Sequence, residues 1–166
     1  MIIKDEFTPI LVMAYCRPKS LERLLLAIAL LPKRDVIISI DNAKNHDEFK
    51  ELREQTVKVA QTWCSSTLHN VKVIDRSENH GLYNHFFLAL REFYSLYEYG
   101  IILEDDISFN SLFIEFVDKN IHNLDKLKYW SIQGYNPNTS LLSLFTRKIN
   151  LVSSNFHTVW GWATSR

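Results

Sequence analysis

Residues 100–110 read GIILEDDISFN, and the placing of their first half decides the fold. Ile101-Ile102-Leu103 is a short, continuous, apolar run rich in β-branched residues, the pattern of a strand buried on both faces. Such a strand belongs to a parallel sheet between helices, so the flanking chain should alternate strands with helices. The run passes straight into Glu104, Asp105 and Asp106. Three carboxylates gathered at a strand end repel one another, and a cation is the natural counterpart.

Upstream the alternation is present. Pro9 to Tyr15 is another apolar run, closed by Cys16-Arg17-Pro18. A helix follows, with Pro18 in its first turn, Leu21, Leu24, Leu25 and Ile28 as its inward stripe, and Pro32 as its stop. Val36 to Ile40 is a second buried strand ending on Asp41-Asn42. Asn45 can cap the next helix with Glu48 in the reciprocal position, and Phe49, Leu52, Thr56, Val59, Ala60 and Trp63 share one face. Val71 to Asp75 is a third strand; after Asn79-His80-Gly81 a helix should bury Leu82, Phe86, Ala89, Leu90 and Phe93. Downstream of the opening stretch, Ser108 or Asn110 is suited to cap a short helix with apolar positions Phe113, Phe116 and Val117. Residues 129–135 and 149–152 read as two further strands around a polar, Asn-rich loop. The expectation is one α/β domain over residues 1–166 with a mainly parallel sheet.

Composition is consistent with that and narrows function. The 166 residues are 46% hydrophobic and 13% aromatic, enough for a sizeable core. Nineteen basic residues balance nineteen acidic ones, so no overall field recruits nucleic acid or an anionic membrane. Cys16 and Cys64 are too few for a disulfide framework and lack zinc-site spacing, which suits free thiols in a reducing compartment. No apolar run reaches the length of a membrane span and no signal-peptide pattern opens the chain, so a soluble, cytoplasmic-type protein is expected, with peripheral association at an inner membrane as the variant. Asn138-Thr139-Ser140 fits the N-glycosylation triplet, a pattern common by chance. With only four glycines, the familiar phosphate-cradling loops are absent from the sequence.

In an open parallel sheet, ligands bind beyond the carboxyl ends of the strands where strand order reverses. The strand ends here carry Tyr15 and Arg17, then Asp41, then Asp75 and Arg76, then Glu104, Asp105 and Asp106. This mixed rim suits a metal and a phosphorylated ligand, and hard carboxylate oxygens favour Mg2+ or Mn2+. Plainer readings stand beside it: Asp41 capping the next helix, His85 as a satisfied core histidine, Arg17 as a solvated turn residue, Trp160 and Trp162 as core packing.

Taken in order, PILVMAYCRP (9–18), ISIDN (38–42), ENHGLYNHFFLAL (78–90), IILEDD (101–106) and VWGWATSR (159–166) resemble the nucleotide-sugar-binding domain of GT-A glycosyltransferases. The likeness is greatest to bacterial sugar-transferase-like proteins related to the Golgi N-acetylglucosaminyltransferase that starts complex N-glycans. The resemblance implies a Rossmann-like three-layer sandwich that binds a nucleoside-diphosphate sugar, most commonly a UDP-sugar. It further implies metal-dependent, inverting transfer to an acceptor hydroxyl, in bacteria towards a surface glycan. By the same resemblance Arg17 and the main chain at Tyr15 hold the nucleotide, Asp41 accepts a hydrogen bond from the base, and His85 approaches the nucleotide. Asp105 contacts ribose or sugar, Glu104 touches the sugar, and Asp106 ligates the Mn2+ or Mg2+. Gly161 and Trp162 lie in the segment that closes the donor site. The family's catalytic base lies beyond that segment, so the expectation is either an N-terminal part of a longer transferase, with the base outside residues 1–166, or a short relative without acceptor site and base.

Three other readings compete. A sugar nucleotidyltransferase shares the fold, but such enzymes open with a glycine-rich loop where this chain has Cys16-Arg17-Pro18-Lys19-Ser20. A phosphoacceptor signalling domain places acids after its first strand, and the first strand here has none. A non-catalytic nucleotide-sugar-binding or interaction domain derived from a transferase fits the same motifs without the base.

Overall fold

The computed structural model describes residues 7–43, 47–135 and 160–166. Strand β1 (Ile10–Ala14) leads through α1 (Pro18–Ile28) to β2 (Asp35–Ile40), and α2 (Asp47–Ser66) leads to β3 (Asn70–Asp75). Helix α3 (Gly81–Tyr94) returns the chain to β4 (Tyr99–Glu104); then come α4 (Ser111–Asn120), a 3-10 turn (Ile121–Asn123) and α5 (Leu124–Leu127). Two short strands, β5 (Ser131–Gln133) and β6 (Trp162–Ser165), complete a six-stranded sheet in the order β3-β2-β1-β4-β6-β5. β1 to β4 pair in parallel, and β6 runs antiparallel between β4 and β5. The α/β architecture with a mostly parallel sheet is therefore as expected, and it is compatible with a Rossmann-like fold.

The alternation of each strand assigns its side chains to two faces. On one, Ile10, Val12, Ala14, Val36, Ile38, Ile101 and Leu103 pack with Leu21, Leu24, Leu25 and Ile28 of α1, Val57 and Ala60 of α2, and Ile114 and Val117 of α4. On the other, Leu11, Met13, Ile37, Ile102 and Trp162 meet Ala89 and Phe93 of α3. Phe93 lies so close to Gly100 that a methyl group there would overlap its ring, which explains a glycine inside a buried strand.

Several local expectations need correction. Leu82 is 79% exposed, and His85 joins Ala89 and Phe93 as the buried stripe of α3, with Phe86 and Leu90 half-buried against the same cluster as expected. Ile114 rather than Phe116 is the innermost residue of α4 beside Val117, while Asn110 caps that helix, its Oδ1 accepting from Leu112 N at 3.0 Å. Residues 129–135 contribute only the three-residue β5, and residues 162–165, not anticipated as a strand, form β6. The expected cap at Asn45, the triplet at Asn138 and the strand at 149–152 lie outside the described residues. Among the described residues no helix is long and apolar enough to cross a membrane.

Candidate functional site

β2 and β3 lie to one side of β1 and β4 to the other, so strand order reverses between β1 and β4. In open parallel sheets that point, beyond the carboxyl ends of the strands, is where ligand crevices form. Backbone pairing carries on to it, with Asp105 N donating to Met13 O at 2.9 Å. Beyond it the Asp105 side chain turns back under the β1 end. Its Oδ2 accepts from Tyr15 N at 2.9 Å and its Oδ1 from Arg17 Nη1 at 2.8 Å. The same Arg17 nitrogen lies 3.0 Å from Asp106 Oδ2. Tyr15, Arg17, Asp105 and Asp106 are thus brought together from segments almost ninety residues apart in the chain, with Glu104 at the end of β4 beside them.

Burial distinguishes the three acids. Asp105 is 2% exposed, Asp106 48%. Desolvation raises the Asp105 carboxyl above its ordinary range, opposed by the Tyr15 N–H and by Arg17. Glu104, half-buried, is also raised, first by desolvation and then by the charges of Asp106 and Asp105. Arg17 is held protonated mainly by its hydrogen bond to Asp105. The cation that three clustered carboxylates call for is therefore supplied in part by the chain itself.

Asp106 faces a cleft of about 450 Å³ whose other walls include Phe109, Asn110, Phe113, Gly134, Tyr135, Trp160 and Gly161. Gly161 has φ +70°, a left-handed conformation that glycine adopts without strain, and its carbonyl accepts from Gly134 N at 2.8 Å. That turn presents Trp160, 57% exposed, edge-to-face against Tyr135 with ring centroids 4.9 Å apart. Trp162, expected at the closing segment, instead sits in β6 with its ring stacked 6.4 Å from Phe86 in the core on the opposite face of the sheet. The cleft aromatics Phe109, Phe113 and Tyr135 carried no functional signal in the sequence, since aromatic residues in an apolar context read as core.

Asp41 and His85 stand apart from this cluster. Asp41 is 4% exposed, and its Oδ1 accepts from Asn42 N and His80 N at 3.0 Å. Its Oδ2 accepts from Gly81 N at 3.0 Å and from Asn79 Nδ2 at 3.5 Å. A carboxylate has about four lone-pair sites, and four donors of the chain itself are directed at them, the Asn79 amide being the most distant. Its place is at the amino end of α3, where an anion satisfies orphan N–H groups and the helix dipole. His85, 4% exposed, holds its Nε2 2.9 Å from Ser39 Oγ on β2, and Arg76 Nη2 reaches the same hydroxyl at 3.4 Å. Burial lowers the His85 pKa, with Arg76 adding to it and Asp41 opposing. Its Nε2 is therefore turned to the sheet.

The remaining rim charges are paired. Arg76 grips Glu92 at 2.8 and 2.7 Å, and Arg53 binds Asp75. As to a metal, among the described residues no three His, Cys, Asp or Glu side chains are grouped to hold an ion. Among the described residues lining the cleft Asp106 is the one carboxylate, beside the neutral side-chain oxygens of Ser108, Asn110 and Tyr135. Mg2+ or Mn2+ held through a single carboxylate takes its other ligands from phosphate oxygens and water.

Compared with known proteins, the chain matches no protein-family model and no curated protein sequence.

Proposed function

We propose that this chain is a nucleoside-diphosphate-sugar-binding domain of the GT-A glycosyltransferase type, acting on a UDP-sugar and passing the sugar to an acceptor hydroxyl. The observation that carries the reading is the Arg17–Asp105–Asp106 cluster at the strand-order reversal, opening on a cleft walled by Trp160 and Tyr135.

Each part has a task that follows from its chemistry. Arg17 is 51% exposed, so its guanidinium can turn to a diphosphate, which its planar fork matches. Asp106 would hold a divalent ion, whose contribution would be neutralisation of charge on a leaving diphosphate. Stabilisation of that kind grows as the bond to the anomeric carbon breaks, so it accelerates transfer rather than merely tightening binding. Asp105 acts indirectly, fixing the Tyr15 main chain and the Arg17 guanidinium beside Asp106. The exposed Trp160 face, edge-on to Tyr135, offers an apolar surface for a sugar ring.

Thermal unfolding with UDP and MnCl2 tests the reading. A ligand at 100 times its Kd stabilises by about 2.7 kcal/mol, about 5–10 °C in Tm for a chain of this length. The expected result is that rise with UDP and Mn2+ together, and its loss in Asp106→Ala with the unliganded Tm nearly unchanged. No shift with UDP, with or without Mn2+, sinks the reading; an undiminished shift in Asp106→Ala removes Asp106 from the site.

A further inference from the structure

At the amino ends of the strands, opposite the crevice, the ring of His69 ties α1 to the entry of β2. His69 lies just before β3 and is 7% exposed. Its Nδ1 accepts from Arg34 N at 3.2 Å, and its Nε2 lies 3.0 Å from the carbonyl oxygen of Ile28, the last residue of α1. A main-chain N–H can only donate and a carbonyl can only accept. These two partners therefore fix the ring as the neutral tautomer with its proton on Nε2 and its Nδ1 lone pair on the Arg34 N–H. A second proton has one place to go, Nδ1, where it would set N–H against N–H. His85 differs, because the Ser39 hydroxyl opposite its Nε2 can turn from donor to acceptor.

The Arg34 main chain that the ring holds is a junction. Its carbonyl accepts from Asn70 N at 3.2 Å, the first rung between β2 and β3. Its side chain, fully buried, reaches Thr8 O ahead of β1 and Asp118 of α4, each at 3.2 Å. The elements packed on the ring offer no counter-charge to an imidazolium. α1 presents only the Ile28 carbonyl, α2 lays the Trp63 ring against it with centroids 5.7 Å apart, and the Thr67 hydroxyl accepts from His69 N at 3.4 Å. Among the described residues the charged group acting on the ring is Arg34, itself a cation. Burial lowers the His69 pKa, the Ile28 carbonyl opposing and the Arg34 charge adding to it, so the ring is neutral at neutral pH.

We propose that His69 is a proton-operated latch at the base of the sheet: neutral, it fastens the entry of β2 to α1; protonated from solvent, it lets go of Arg34 N and opens the first β2–β3 rung while the strands above stay paired. Opening brings water to the imidazolium and to the freed N–H, which a closed, dry latch would leave without partners. The release is local. The Arg34 fork stays on Asp118, and β2 keeps its pairing with β1 from Val36 onwards. Nothing in this device depends on the nucleotide reading, since the crevice lies at the other end of the same strands.

The test is an acid titration of the wild-type chain from pH 7.5 downward, followed by nitrogen magnetic resonance of the histidine rings and the backbone amides. At pH 7.5 the His69 ring should carry its proton on Nε2 alone. As Nδ1 takes up a proton, the Arg34 and Asn70 amide signals should move in step with the ring and lose their protection from exchange, while Ile38 and Leu103 in the centre of the sheet keep their native signals. His69→Asn brings a side-chain oxygen close to the place of Nδ1 and has no proton to gain, so its Arg34 amide should hold its native signal until the sheet itself unfolds. A neutral wild-type ring with its proton on Nδ1 overturns the latch. So does a ring that stays neutral until all the amides collapse together, or an Arg34 amide that ignores the ring's titration; none of these results needs a variant to fold. An Arg34 amide that moves with acid equally in His69→Asn assigns the proton to another group and overturns it as well.

Discussion

Replacing Asp105 with alanine would leave the Tyr15 N–H without its acceptor at the mouth of the crevice, and that loss sets the size of the effect. An unsatisfied buried donor costs about 1–3 kcal/mol. The pair with Arg17 adds at most about 1 kcal/mol, because the guanidinium is half exposed and keeps Asp106. Relief of repulsion among the three acids works the other way. The expected net cost is about 2 kcal/mol, which for a chain of this length lowers Tm by about 4–8 °C. Urea unfolding monitored by circular dichroism measures it directly. Asp105→Asn keeps an oxygen for Tyr15 N while presenting its amide to Arg17, so it should cost about half as much, the hydrogen bond being the larger share. A loss under about 0.5 kcal/mol in the alanine variant would refute the clamp, since surface substitutions of no structural consequence fall in that range. An asparagine variant as damaged as the alanine one would show that charge, not the Tyr15 hydrogen bond, carries the effect.

Acid should weaken the fold through its buried histidines. Burial lowers the pKa of His85 and of His69 below 6.5, so the unfolded chain takes up protons that the folded one refuses. The stability they support is present above pH 6.5 and lost as pH falls through their folded values, whereas Glu104 and Asp105, raised by burial, act with the opposite sign. Urea midpoints at pH 7.5 and pH 5 should differ, and His85→Gln, which retains a partner for Ser39, should narrow the difference; an unchanged gap would absolve His85. Gly100→Ala should cost about 1–3 kcal/mol by overpacking Phe93, and Phe93→Leu in the same chain should recover part of it, as a denaturation cycle would reveal. Asp41→Ala strips the cap from His80 N and Gly81 N and should cost about 1–2 kcal/mol, the upper half of the range for a lost helix cap, with UDP affinity of the folded protein unchanged; weakened UDP binding in calorimetry would place Asp41 at the ligand site.

The central strands were readable because strands buried on both faces leave an unmixed apolar signature. Pro9 to Tyr15 and Val36 to Ile40 mark β1 and β2 to within a residue or two, and the stripe of Leu21, Leu24, Leu25 and Ile28 is the buried face of α1. Where a polar residue turns inward that signature fails. His85 belongs to the inner stripe of α3 because Ser39 stands opposite it, a pairing that only the folded sheet brings about, and Leu82 is left outside. β6 was hidden because four residues bounded by a tryptophan and a serine carry no period. At the site, the acids at the end of β4 and Arg17 were legible by type and position. Which acid faces inward was not, since three consecutive carboxylates look alike until Tyr15 N selects Asp105.

The bridge between Arg17 and Asp105 joins residues separated by 88 positions, with α1, β2, α2, β3, α3 and β4 intervening. Contacts of such long sequence range assemble late, because loop closure must be completed before they contribute. On a ribosome, β1, β2 and β3 emerge while the carboxylate partner of Arg17 is still unsynthesised. A nascent chain halted before residue 105 therefore lacks the clamp on Tyr15 and Arg17 altogether, and if the proposed nucleotide site is right, nucleotide capture would report the moment the fourth strand docks.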